Sequence, residues 1–217
     1  MNHLRIFFVL AVTSLVSAAA AQDTNYLRTQ IGQFETRTGS VIIKGFSAIG
    51  SVQANGAEIS VRCKETTDVS IGRKIYGLAI DIRGGGFDPE RIYVDESEID
   101  ALLSGLNYLM KISYDVTALS GFEAAYTTHA GFEVIAHSVR KEGTVDFFAQ
   151  GNYSPRISLS SVQVSQLYGL IGQARKNLDS IKPEHRPELQ ARLDAIEDRL
   201  RRLAATEARI RVIRSAR

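Results

Sequence analysis

The stretch "SVQANGAEISVRC", residues 51–63, constrains the fold more than any other part of this chain. Asn55 and Gly56 both tolerate the positive φ of a two-residue type I′ turn, and the residues that follow alternate apolar and polar. The chain must therefore double back on itself as an antiparallel hairpin. "SVIIKGF" (40–46) before it and "KIYGLAIDI" (74–82) after it are rich in β-branched residues and bounded by "TGS" and "IGRK". "GFEAAYTT" (121–128), "GFEVIAHS" (131–138) and "GTVDFFAQ" (143–150) repeat the pattern. Many short strands joined by close turns predict a mainly β domain over residues 22–160, an antiparallel sandwich or a partly open barrel.

Helical periodicity interrupts and then follows the strands. Ile99, Leu102, Leu103, Leu106 and Met110 recur at helical spacing, which predicts a helix near 96–111 covering one face or open end of the sheet. Asp95 as N-cap with Glu98 three residues on fits a capping box. Capping also accounts for the acidic group Asp95, Glu96, Glu98 and Asp100, which lacks the alternating ligand order of a calcium loop. Residues 161–181 carry a second stripe, Val164, Leu167, Ile171, Ala174, Leu178 and Ile181, with Ser160 or Ser161 as cap. Gly169 and Gly172 each cost about 1 kcal/mol relative to alanine inside this packing helix, so close approach to the sheet is expected there. Pro187 suits the first turn of a further helix. The expected class is α+β, with one covering helix and two C-terminal helices.

The chain opens with Arg5, an apolar run from Ile6 to Val16, and small residues up to Ala21. This reads as a secretory signal peptide over residues 1–21, cleaved after Ala21, which predicts a periplasmic or extracellular protein. Such a compartment favours disulfides, yet Cys63 is the single cysteine. Its parity with Ile59 and Val61 predicts an inward, buried thiol rather than a nucleophile.

No catalytic motif accompanies this scaffold. There is no G-x-S-x-G elbow, no H-E-x-x-H and no dinucleotide fingerprint, and the glycines at 84–86 lead back into a strand rather than into a helix. His129 and His137 would share a strand face about 26 Å apart at ~3.3 Å per residue, too far for one ion. The expectation is therefore no metal, no cofactor and a non-catalytic interaction or scaffolding module. The alternative is an apolar-ligand or lipid-binding β domain lined by Phe122, Tyr126, Phe132, Phe147, Phe148 and Tyr153. An enzyme whose site is assembled from distant strands ranks third.

The last segment, residues 182–217, differs in character. It holds 10 Lys and Arg against 6 Asp and Glu, whereas residues 22–181 hold 15 against 18. Within it, Leu189, Leu193, Ile196, Leu200 and Leu203 alternate steps of four and three, about two and a half heptads of a coiled-coil-like seam. A stripe this narrow suits one partner helix, either from another chain through residues 187–205 or from the helix at 161–181. Arg209, Arg211, Arg214 and Arg217 form a candidate contact for an anionic envelope surface. Nucleic acid is not expected of an exported chain with an acidic body.

Overall fold

The computed structural model describes residues 26–139 and 143–182 and the single positions 196, 199 and 202. The hairpin forms as its turn residues require: Asn55 and Gly56 take φ of 49° and 76°, and Ala54 faces Ala57 across the turn. It joins β1 (Ile42–Ala54) to β2 (Ala57–Asp68). β3 (Arg73–Gly84) and β4 (Phe87–Asp95) add in chain order to complete an antiparallel sheet. A second antiparallel sheet contains β5 (Gly121–Thr127), β6 (Glu133–Val139), β7 (Asp146–Gln150) and β8 (Ile157–Leu159), also in chain order. Helix α2 (Glu96–Leu109) follows β4 and α3 (Ser161–Ile181) follows β8, so four strands and a helix occur twice. The expected α+β class holds. The periodicity gave no sign of α1 (Gln30–Glu35), because six residues are too few to show it.

Both α2 and α3 touch strands of each sheet, and one core lies among them. Ala57, Ile59, Val61 and Cys63 of β2 point into it with Leu78, Ile80 and Ile82 of β3. Val164, Leu167, Ile171, Ala174 and Leu178 of α3 are each 0% exposed, so the stripe is used within its own domain up to Leu178, while Ile181, the last residue of the helix, is 45% exposed. At about 1.5–3 kcal/mol per buried aliphatic side chain, this stripe alone makes α3 inseparable from the sheets. Phe132 and Phe147 are core residues, while Phe148 lies on the other face of β7. Cys63 is buried as expected: its thiol donates to the Ala174 carbonyl at 3.4 Å, and burial pushes its pKa up to about 11. It is an inert thiol at neutral pH.

A carboxylate ties the sheets together at one end. Glu90 of β4 accepts from the backbone N–H groups of Asn152 at 2.7 Å, Tyr153 at 3.1 Å and Ser154 at 3.0 Å, all in the loop between β7 and β8. Charge-assisted bonds of this kind are stronger than neutral ones and fix the loop on the first sheet.

One expectation about glycine needs correction. Ser160 and Gln163 form a reciprocal capping box that starts α3 where expected, but Gly169 and Gly172 have open space around them. The close approach of α3 to the sheet occurs at a glycine of the sheet instead, Gly50 of β1, where a Cβ would lie 2.7 Å from Leu170 Cδ2. Helix α1 makes another at Gly77, where a Cβ would lie 2.3 Å from the Val94 carbonyl oxygen and 2.5 Å from Ile31 Cδ1. Gly169→Ala and Gly172→Ala should each stabilise the protein by about 0.5–1 kcal/mol, read as a higher urea midpoint at unchanged slope. Destabilisation by either would show that α3 needs glycine for packing after all.

Candidate functional site

Strand β2 changes the face it buries part-way along its length. Ala57 to Cys63 bury alternate side chains in the core beneath α3, but Lys64, Thr66 and Asp68 are buried on the opposite face. The cover over Lys64 and Thr66 is α1. A six-residue helix has no stability of its own in water, so tertiary contacts must hold it. Asp95 accepts from the otherwise unpaired N–H groups of Gln30 at 2.7 Å and Ile31 at 3.1 Å, and the Thr29 hydroxyl accepts from Gly32 at 3.0 Å. Ile31 drops into the notch left by Gly77, and the Tyr26 ring leans on Tyr93 with centroids 5.4 Å apart.

Glu35, the last residue of α1, reaches back across the sheet. Its carboxylate lies 2.5 Å from Lys64 Nζ and 2.6 Å from Lys44 Nζ, and it accepts from the Tyr26 hydroxyl at 2.5 Å and the Thr66 hydroxyl at 3.2 Å. The Lys64 side chain is 0% exposed, and Glu35 is its counter-charge. The ammonium also lies 4.2 Å from the Phe46 ring centroid and 4.5 Å from that of Tyr93. Burial pulls the Lys64 pKa below the ordinary lysine value, with Glu35 opposing and Lys44 and Arg91 reinforcing. Burial alone would push Glu35 up, but the two ammonium groups and the Tyr26 hydroxyl outweigh it and hold the carboxyl below its usual range.

Beyond α1 the same face is open. Phe46 is 40% exposed and carries Arg62 at 4.9 Å and Arg91 at 5.5 Å from its centroid, in addition to Lys64. Asp81, itself buried, pairs with both Arg62 and Arg91, the latter at 2.6 Å. Lys44, Lys64, Arg62 and Arg91 are paired with Glu35 and Asp81 alone, and the nearby Glu58 lies across from Arg83, which leaves this part of the face cationic. It borders β1, the edge strand of the first sheet, which pairs with β2 alone. Every residue from Ile43 to Ala48 is exposed, and Val41 and Ile43 are 67% and 56% exposed.

The residues singled out in the sequence are distributed differently. Leu189, Leu193, Leu200 and Leu203, and Arg209, Arg211, Arg214 and Arg217, lie outside the described residues. Ile196, at the centre of the seam, is helical and 56% exposed. The capping box at Asp95 and Glu98 does not form. Asp95 stands at the N-cap position of α2 but its carboxylate serves α1, and Glu98 accepts from the His129 backbone N–H at 2.7 Å. Both carboxylates are buried beside N–H groups from distant segments, and those groups engage them in place of α2's own first turn. Glu96 pairs with Arg175 and Lys182, and Asp100 with Arg175. The four acids therefore serve several different segments, and among the described residues no three His, Cys, Asp or Glu side chains are grouped to hold a metal. The Glu96–Arg175–Lys182 cluster lines a groove of about 420 Å³ at the end of α3. Comparison with protein-family models, with curated proteins and with solved structures returned no match to this chain.

Two consequences can be measured. Lys64→Met leaves Glu35 buried beside one fewer cation and should cost about 3 kcal/mol, whereas adding Glu35→Leu should cost far less than the two single changes summed. Additive losses in urea unfolding would remove the coupling. Asp68 has its pKa held down to about 2 by hydrogen bonds from Ser40 and Ser70, supported by Arg37. Its folded pKa lies below the unfolded value of about 3.9, so the stability it contributes is complete above that pH and is lost as pH falls toward 2. Asp68→Asn should flatten the acid limb of stability against pH, and an unchanged limb would show that other carboxylates govern it.

Proposed function

We propose that this chain is exported and acts as a non-catalytic interaction module, copies of which associate through residues 187–205 and so hold several β domains together. One observation carries the reading. The apolar stripe of α3 is buried in the sheet core from Val164 to Leu178, while Ser165, Gln166, Gln173, Lys176 and Asn177 lie on its exposed side, where the apolar residues are Val162 and Ile181 at its two ends. A C-terminal helix folding back on α3 would therefore meet a mostly polar face, with an apolar residue only at each end. Ile196, central to the seam at 189–203, is exposed, in keeping with a partner outside its own domain. The seam's narrow width fits a single partner helix, and a second copy supplies an identical seam.

Export rests on the leader-like N-terminus, and no described helix is long and apolar enough to cross a membrane. The arginine-rich end, residues 209–217, extends the reading to an anionic envelope surface, each such residue contributing about 1 kcal/mol near one. The apolar-ligand alternative is weakened because Phe132 and Phe147 fill the core and Tyr153 is 67% exposed in a loop.

Light scattering after size exclusion tests the proposal on residues 22–217, on a version ending at Ile181, and on Ile196→Asp. The first should be oligomeric at micromolar concentration, and the other two monomeric with unchanged circular dichroism. A monomeric full chain, or an oligomer indifferent to both changes, would overturn it.

A further inference from the structure

The edge strand has its own consequence, carried by residues separate from the C-terminal seam. We propose that the free edge of β1, Ile42–Ala48, docks an extended acidic polypeptide segment, which adds to the first sheet as a further strand.

An exposed edge presents a row of unpaired N–H and C=O groups, and sheet proteins normally blunt it with charge, proline, bulges or a covering element. Along Ile42–Ala48 there is no proline, and the single charged residue, Lys44, is paired with Glu35. The register shift of β1 falls after this stretch, between Ala48 and Gly50. Beyond it the end of β1 is occupied by the second half of the molecule: Asn55 donates to the Ser158 carbonyl at 3.2 Å, and Gln163 donates to the Gln53 carbonyl at 2.6 Å. The open part therefore has defined limits. At ~3.3 Å per residue it is roughly 23 Å long, room for a strand of ordinary length.

The chemistry of the occupant follows from the two faces beside this edge. Alternate side chains of an added strand fall on opposite faces of the sheet. On one face they meet Phe46, 40% exposed and flanked by Arg62 and Arg91. Asp81 is already engaged by both arginines and Glu35 by both lysines, and Glu58 lies across from Arg83, so the excess charge here is positive. Acidic side chains complement it, and basic ones are repelled. On the other face the strand runs beside Ile43, Gly45 and Ser47, which share one parity of β1 and favour apolar or small residues. The matching ligand alternates acidic and apolar residues.

The test uses residues 22–217 carrying Ile196→Asp, so that association through the C-terminal seam does not interfere and its success or failure is scored separately. The probes are the blocked peptide Glu-Val-Glu-Val-Glu-Val and its Lys-for-Glu counterpart, followed by calorimetry and amide hydrogen exchange. The acidic peptide should bind at least about tenfold more tightly than the basic one, weaken with added salt, and slow exchange within residues 42–48. Phe46→Glu should abolish this preference. Because Phe46 also packs on Lys64, Ala48→Glu serves as a second variant at an exposed position, and it should weaken the acidic peptide several-fold with unchanged stability. Equal binding of the two peptides, or protection elsewhere than residues 42–48, would overturn the proposal. So would a dimer of the Ile196→Asp chain that Ala48→Glu dissociates, which would assign the edge to a second copy.

Discussion

A lysine with no exposed side-chain surface needs a counter-charge, and for Lys64 that charge is Glu35. The pair fixes more than itself. Glu35 ends α1, so satisfying the ammonium places α1 on the outer face of the first sheet and divides that face into a covered half and an open half. Ile31, Tyr26 and Thr29 fill the covered half. The open half keeps Phe46 with Arg62 and Arg91 beside the edge of β1. An apolar pair of the same volume would suit stability as well or better, so the value of the ion pair lies in specifying where α1 sits.

The same device recurs where disulfides could otherwise link distant segments. With Cys63 alone, no intrachain bridge exists, and buried carboxylates link distant segments instead. Asp95 joins β4 to α1, Glu90 joins β4 to the loop after β7, and Glu98 joins α2 to the turn after β5. Each acts on backbone N–H groups, so each constrains chain path as well as side-chain position. Most of the apolar surface of α2 and α3 is consumed in the core, which is why the recognition surfaces proposed above are the edge of β1 and the C-terminal seam.

Much of this architecture was legible in the sequence because it rests on local signals. Asn55-Gly56 set the hairpin, and Ser160, one of two candidate caps, set the start of α3. The parity of Ile59, Val61 and Cys63 gave the inward face of β2. The outer-face cluster was not legible because its partners are separated by many residues. Glu35 meets Lys64, Phe46 lies across from Lys64, and Arg91 lies across from Asp81. Extending the hairpin register outward from Asn55 would bring Phe46 close to Lys64, but the shift between Ala48 and Gly50 moves it by one residue, and nothing local announces that bulge. Asp95 and Glu98 misled for a related reason: the spacing of a capping box was present, but nonlocal N–H groups took both carboxylates.

The central claim is that α1 is a fixed part of the first sheet's outer face, so that only the edge of β1 and the cationic strip beside it are open there. Native-state hydrogen exchange on the amides of Gln30, Ile31 and Gln33, which bond to Asp95 and the Thr29 carbonyl, tests this directly. The account requires them to open with the same free energy as the central amides of β2 and β3, in one global event. Exchange at a much lower free energy, with β2 and β3 still protected, would make α1 a detachable cover over Lys64 and would contradict the account.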